Sequence, residues 1–417
     1  MKGQRTVFHI DVNSAYLSWE AAYRLQHGET LDLRTIPSVV GGNEESRHGI
    51  VLAKSIPAKK YKIETGETLF SARQKCPGLV VVPPRYWLYM NCSNAMIEIL
   101  REYSPDVQRF SVDESFLEFT SMDKHFGDPI TAAHGIKDRI KRELGFTVNI
   151  GISTNKLLSK MAGELSKPDK VHTIYPEEIE EKMWPLPVEE LVMVGRATAR
   201  KLHALGIRTI GDLACYSPII LEHTLKSHGK LIRNYANGIE ASGVRNEPIG
   251  IKGVGNSTTT PFDVEEEKDA ALYILSLSEK VGMRLRSLGL CCSLVSISIR
   301  NTNFISTSHQ RKMTYATDST DEIFCIATKL FKEVWRGDPL RHLGVHVSCL
   351  SRAENIQLSL FTNRELSKMQ ALDKAIDSIR SKFGTYALTR AVFIHTGISP
   401  LSGGVGEEDY PMFSSAL

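Results

Sequence analysis

Residues 109–119 read RFSVDESFLEF, an apolar, β-prone stretch interrupted by two adjacent carboxylates, Asp113 and Glu114. No feature constrains the fold more. A strand that took both acids into a core would strand two desolvated charges, so the pair belongs at a strand–turn–strand junction at one end of a sheet. A third acid, Asp11, closes another apolar run, RTVFHIDV at 5–12, which predicts a buried strand. Three carboxylates from two neighbouring strands then converge at one sheet edge.

Three acids side by side repel one another unless a cation joins them. Magnesium prefers oxygen ligands and keeps waters for phosphates, and a pair of such ions clamps the attacking and leaving oxygens of an in-line phosphoryl transfer. The same residues also read as solvated charges at an ordinary hairpin turn. A second constellation bears on the choice. After the strand FTVNIGI, the segment STNKLLSKMAGELSKP opens a capped helix carrying Lys156, Lys160 and Lys167. A helix start with lysines is an anion site, with Lys156 and Lys160 on one face at i, i+4. It also reads as a solvated basic face.

Composition narrows the class. With 417 residues, 42% hydrophobic and 24% charged, the chain has room for two to four ordinary globular domains. The apolar run in MKGQRTVFHIDV is short and ends in an aspartate, which predicts neither a signal peptide nor a membrane span, so the expected location is the cytoplasm. Seven cysteines without a CxxC pair predict reduced thiols rather than a disulfide or zinc framework. The net charge of +3 says little, so contact with nucleic acid would need local basic clusters.

Along the chain, Asn13 and Ser14 cap a helix with aromatics at Tyr16, Trp19 and Tyr23, and residues 35–76 read as a small insertion. Helices near 86–103 and 130–144 flank the carboxylate hairpin, which predicts a mixed α/β core. Residues 185–237 read as a small helical domain, and GIEASGVRNEPIGIKGVGNSTTTP as a linker or extended crossing. Residues 251–350 alternate helices and strands as an α+β layer, followed by a helix at 365–383 and a Gly/Ser/acidic end from 402 expected to be disordered.

DVNSAY at 11–16, RFSVDESFLEF at 109–119 and NIGISTNKLLSKMAGELSKP at 149–168, in this order and spacing, resemble the Y-family DNA polymerases, the DinB and UmuC lesion-bypass enzymes. Asn13, where many members carry a second Asp, is more similar to the UmuC branch. The resemblance spans about residues 5–361. It implies an α+β multidomain fold in the form of a right hand: palm at 1–17 and 77–168, fingers at 18–76, helical thumb at 169–243, little finger at 244–352, and a tail at 353–417. It also implies a template-directed, error-prone polymerase acting on primer–template DNA and deoxynucleoside triphosphates, with no room for a proofreading domain.

Carried over residue by residue, Asp11, Asp113, the Val12 carbonyl and Glu114 would hold two magnesium ions, for which manganese can substitute, and Glu114 would complete the site at the primer 3'-hydroxyl. Lys167 would meet the triphosphate. Tyr16 would be the steric gate that leaves no room for a 2'-hydroxyl, although by itself it also reads as a core aromatic. In the fingers, GIVLAKSIPAKKYKI sets Ile56 and Lys59 where the family has a Tyr and an Arg, losing a phenol hydrogen bond and a bidentate fork. Lys60 is a substitute phosphate contact or a solvent-facing charge.

Between Arg196 and Arg233 stand seven Lys/Arg against two acids, a basic patch hidden by the mild net charge. VGRATARKLHALGI resembles a helix-hairpin-helix in which Gly195, Arg196, Arg200 and Lys201 would meet DNA phosphates. One glycine of the usual turn is replaced in Met193-Val194-Gly195, and a plain helix pair capped at Gly206 fits the same residues. Gln357, Leu358, Ser359, Leu360 and Phe361 have the form of a sliding-clamp-binding pentapeptide, or of an ordinary final strand. UmuD-like accessory subunits are a further partner implied by the UmuC branch. Two other classes stay open: a nucleotidyl cyclase, which would not need the basic helical domain, and a catalytically impaired DNA- and clamp-binding accessory protein of the same fold.

Overall fold

The computed structural model describes residues 5–44, 47–246, 250–353 and 364–401, with the backbone alone for 364–367. They form two units, one within Met1–Gly42 and Ile50–Ile249, the other within Asn43–Gly49 and Gly250–Val405.

In the first unit the chain runs β1 (Val7–Val12), α1 (Ala15–Gln26), β2 (Ser38–Gly41), β3 (Val51–Lys54), α2 (Ile56–Lys59), α3 (Leu69–Lys75), β4 (Val80–Val82) and α4 (Tyr86–Arg101). It continues with β5 (Val107–Arg109), β6 (Glu114–Glu118), α5 (Asp123–Phe126), α6 (Pro129–Leu144), β7 (Val148–Ser153), α7 (Lys156–Glu164) and β8 (Val171–Thr173). Five strands make one sheet in the order β5-β6-β1-β7-β8, and β3-β2-β4 make a second, smaller one. Strand periodicity divides β1 between two faces. Phe8, Ile10 and Val12 enter a core shared with α4 and α6, whereas His9 and Asp11 face the other way, toward α7. The close approach of α7 to the sheet depends on two glycines. A Cβ on Gly151 would lie 1.9 Å from the Ser159 carbonyl oxygen and 2.3 Å from the Gly163 nitrogen.

Helices α8 (Arg196–Ala204), α9 (Ile210–Cys215), α10 (Pro218–Leu225) and α11 (Ser227–Ala236) close the unit around a core shared with Leu157, Leu158 and Met161 of α7. Met193 takes φ 73, the left-handed conformation that glycine adopts at least cost, so the turn survives the missing glycine. Arg196, Arg200 and Lys201 are all exposed on α8, whose start is Gly195.

The second unit consists of β9 (Gly253–Val264), α12 (Glu267–Ser287), β10 (Leu290–Asn301), β11 (Ser306–Thr317), α13 (Thr320–Val334), β12 (Leu340–Arg352) and α14 (Arg364–Phe383). Its antiparallel sheet has the order β11-β10-β12-β9, so the last nine residues of the expected linker belong to an edge strand: GVGNSTTTPFDV pairs with β12 from Gly253↔Ser348 to Val264↔Leu340. Gly and Ser resemble linker locally; the pairing comes from a strand about 90 residues away, beyond the reach of local propensity. The helix expected at 365–383 is present as α14, and it is anchored. Arg286 of α12, with its side chain 6% exposed, donates to Asp373 at 3.2 Å and to Asp377. The expected disordered end and the pentapeptide 357–361 lie outside the described residues. Among the described residues, no helix is long and apolar enough to cross a membrane.

Candidate active site

The carboxylate hairpin forms where the sequence predicted it, with Asp113 in the turn and Glu114 opening β6. Ser111 shapes the turn, its hydroxyl donating to Asp113 at 2.6 Å and accepting from the Glu114 nitrogen at 3.0 Å. Asp11 and Glu114 are direct cross-strand partners, and the Val12 nitrogen donates to the Asp113 carbonyl at 3.0 Å. Like charges placed opposite each other in an antiparallel pair destabilise it, so the site needs cations.

Two lysines answer that need. Lys160 donates to both oxygens of Glu114 at 2.7 and 2.6 Å, and Lys167 donates to Asp11 and, at 2.8 Å, to Glu164. This corrects the expected phosphate-facing lysine pair. Lys160 is spent on a carboxylate, and Lys156 is fully buried, with its Nζ 3.4 Å from the Gln108 side chain and 5.7 Å from the Phe116 ring centre. The solvated-face alternative fails as well, because α7 turns this side toward the sheet rather than toward water.

Burial pushes Asp11 up to about 7 against the pull of Lys167, with Glu114 and Asp113 adding to the rise. Asp113 is raised chiefly by burial, opposed by the Ser111 hydroxyl. Burial also works to raise Glu114, but the His9 imidazole and the Lys160 ammonium outweigh it and hold this carboxyl well below its usual range.

Asp11, Val12, Asp113, Tyr16, Ile56, Lys59 and Lys167 all line one cleft of about 660 Å3. Glu114 does not line it. Ile56 and Lys59 lie on α2, whose cap is Ser55, the Ser55 hydroxyl accepting from the Ala58 nitrogen at 3.1 Å. Ile56 is exposed toward the cleft, and Lys60 points to solvent outside it. Tyr16 packs its ring against Tyr89, centroids 4.3 Å apart and 10° from parallel, so it is both a core aromatic and a cleft wall.

Arg34 and Lys54 also line the cleft, and sequence reasoning missed both. Arg34 is held by Asp32 and by the Gly145 carbonyl at 2.7 Å, and Lys54 donates to the Ile63 carbonyl at 2.6 Å. No local signal marks either. Asn13 is a structural amide. It donates to Asn149 at 3.1 Å and accepts from the Asp169 nitrogen at 2.9 Å, while Asn149 holds the Ser166 carbonyl at 2.7 Å. The segment bearing Lys167 is thereby tied to the sheet, a task an aspartate, with no donor, could not share.

Among the described residues, no three His, Cys, Asp or Glu side chains are grouped about one point as a ready metal cage. The chemistry of the donors nonetheless fits a hard divalent cation: carboxylate oxygens at a buried sheet end, with ammonium groups as their present counter-charges.

The comparisons identify the family. Residues 10–164 match the impB/mucB/samB family, residues 176–207 the IMS family HHH motif, and residues 251–360 the C-terminal domain of the impB/mucB/samB family. A DNA polymerase IV of Clostridium acetobutylicum is 46% identical over 94% of this chain and 98% of that protein. A second DNA polymerase IV, from Acetivibrio thermocellus, is 39% identical over 94% of this chain and 98% of that one. A Y-family DNA polymerase chimera of Dbh and Dpo4 shares the fold with a TM-score of 0.71 at 23% identity, covering 85% of this chain and 100% of the chimera. The expected lean toward the UmuC branch is therefore corrected to the DinB, polymerase IV side: Asn13, which suggested it, is accounted for by the amide network. The chain belongs to the impB/mucB/samB family of Y-family DNA polymerases.

Proposed function

We propose that the protein carries out translesion synthesis as a template-directed, low-fidelity polymerase, adding deoxynucleotides to a primer in the cytoplasm of a bacterium. The observation that carries this reading is the gathering of Asp11, Asp113, Tyr16, Lys59 and Lys167 around one cleft, from four separate stretches of the chain. Two magnesium ions, or manganese in their place, would lower the pKa of the primer hydroxyl and neutralise the triphosphate. Asp11, Asp113, Glu114 and the Val12 carbonyl would hold them. Lys167 would pass from Asp11 to the triphosphate, Lys59 would add a second, monodentate charge, and Tyr16 would floor the sugar. Ile56 would offer an apolar edge with no hydrogen bond.

In this reading the strands β5-β6-β1-β7 with α4, α6 and α7 are the palm, 1–17 and 77–168, and β8, just past that boundary, extends their sheet. The β2-β3 pair with α2 and α3 forms the fingers, 18–76, with β4 joining their sheet from just past that boundary, helices α8–α11 the thumb, 169–243, and the β9–β12 sheet the little finger, 244–352. Gly195, Arg196, Arg200 and Lys201 would grip DNA phosphates without reading sequence. Residues 357–361 would tether the enzyme to a sliding clamp and raise its effective concentration at the primer. UmuD-like subunits, implied only by the UmuC branch, have no part in this reading.

The test is primer extension with magnesium and single deoxynucleotides, beside Asp113→Ala and Glu114→Ala proteins of normal fold. Extension by the parent and its loss in both variants is expected. An inert parent, even with a clamp, would leave the impaired accessory protein as the better reading, with Ile56 the first residue to revert toward Tyr.

A further inference from the structure

Behind the cleft wall lies a charge that stability alone does not require. Glu20, on α1, is completely buried. Arg85, just before α4, sets its Nε 3.1 and 3.0 Å from the two carboxylate oxygens and brings an Nη to one of them, and its guanidinium lies 4.3 Å from the Tyr23 ring centre. Arg24 approaches the same carboxylate at 3.7 Å. A further donor is Tyr89, one helical turn beyond Arg85 and fully buried, whose hydroxyl donates to Glu20 at 3.0 Å. Tyr89 is the ring on which Tyr16 lies.

Glu20, Arg85 and Tyr89 are all absent from the cleft lining, so none of them touches a bound nucleotide there. A buried ion pair is seldom worth more to stability than apolar packing of the same volume, and what it supplies instead is a fixed orientation. A steric wall discriminates only if it cannot retreat when pressed. Stacking by itself lets two rings slide, whereas a hydroxyl pinned to a carboxylate that is itself held by an arginine fork does not move along or across the ring plane.

We propose that the buried Glu20–Arg85 pair is a positioning device for sugar selection, fixing Tyr89 so that Tyr16 stands as a rigid wall against a 2'-hydroxyl. This rests on the reading of Tyr16 as the surface beneath the sugar.

The test compares kcat and KM for a matched deoxynucleotide and its ribonucleotide in the parent, Tyr89→Phe, Glu20→Gln, Tyr16→Ala and the Tyr16→Ala/Tyr89→Phe double variant, with melting curves for each. Tyr89→Phe keeps the ring and its stacking and removes only the anchor. It is expected to fold and to use deoxynucleotides within about threefold of the parent, while discrimination against ribonucleotides falls roughly fivefold, chiefly through a lower ribonucleotide KM. Glu20→Gln should shift discrimination in the same direction. The double variant should discriminate no worse than Tyr16→Ala, because Tyr89 acts through Tyr16. A loss of fold would lower both efficiencies together and leave their ratio unmoved.

Unchanged discrimination in a folded Tyr89→Phe protein overturns the proposal, even if Glu20→Gln fails to fold. So does a double variant whose losses add. If Tyr16→Ala itself keeps full discrimination, the gate reading of Tyr16 falls, and this proposal with it; if Tyr16→Ala loses discrimination and Tyr89→Phe does not, the gate stands and only the anchor fails.

Discussion

Gly151 offers the sharpest test of how the site is built. It sits in the middle of β7 where α7 crosses, and a methyl group there would lie 1.9 Å from the Ser159 carbonyl oxygen, 2.3 Å from the Gly163 nitrogen and 3.0 Å from the Gly163 Cα. All three neighbours are backbone, so no side chain can swing aside, and helix and strand must part by more than an ångström. Overpacking of a core typically costs about 1–3 kcal/mol, and a clash between main chains belongs at the upper end, about 3 kcal/mol. At about 2–4 °C per kcal/mol for a domain of this size, Gly151→Ala should melt about 6–12 °C below the parent. Gly135 supplies the contrast: it is exposed within α6, and nothing lies within 4 Å of a Cβ built on it. Gly135→Ala should gain about 0.5–1 kcal/mol from reduced freedom of the unfolded chain and melt slightly higher. Because α7 carries Lys160 and leads into Lys167, Gly151→Ala should also slow primer extension at temperatures where it remains folded. A Gly151→Ala protein melting within about 2 °C of the parent would refute the argument that this close approach sets the geometry.

Other expectations follow from charge. Lys167→Met removes the counter-ion of Asp11 and with it the pull that lowers this carboxyl, so Asp11 should keep its proton to higher pH, and manganese binding without nucleotide, followed by spin resonance, should set in at a higher pH than in the parent; an unchanged or lower onset contradicts the pairing. Asp169 accepts from Lys137 at 3.0 Å and Lys141 at 2.8 Å, and although burial acts to raise its carboxyl, the two ammonium groups hold it below the usual range. A depressed carboxyl stabilises the fold above its unfolded value of about 3.9 and loses that contribution as pH falls through its folded value. The urea midpoints of the parent and Asp169→Asn should therefore differ at neutral pH and converge below about pH 4; a gap independent of pH would exclude the carboxylate as its source. Replacing exposed Arg196, Arg200 and Lys201 together by Ala should weaken DNA binding on all sequences alike and flatten the logarithmic salt slope by about 2–3, whereas an unchanged slope would clear α8 of phosphate contact.

What could be read from the sequence was whatever acts within a few residues. The apolar run ending at Asp11, the turn that sets Asp113 before Glu114 and the polar cap of α7, filled by Asn155, are local, and each stands where expected. Glu20 was legible in principle. It falls four residues after Tyr16 and three before Tyr23, an acid on an aromatic helix stripe, which is where a buried charge with a partner elsewhere should be sought. Its partner was not legible, because Arg85 lies 65 residues away.

The sequence by itself determined which residue types meet the chemistry, three carboxylates at strand ends and a lysine-bearing helix after them, because backbone periodicity decides which side of a strand or helix each one takes. Only the tertiary structure decided whom those residues face. Lys160 turned to Glu114 across 46 positions and Lys167 to Asp11 across 156, Lys156 went into the core, and a Gly/Ser-rich stretch became an edge strand. Packing chooses partners by shape and by the cost of leaving a buried charge alone, and neither quantity exists until the strands and helices have been brought together.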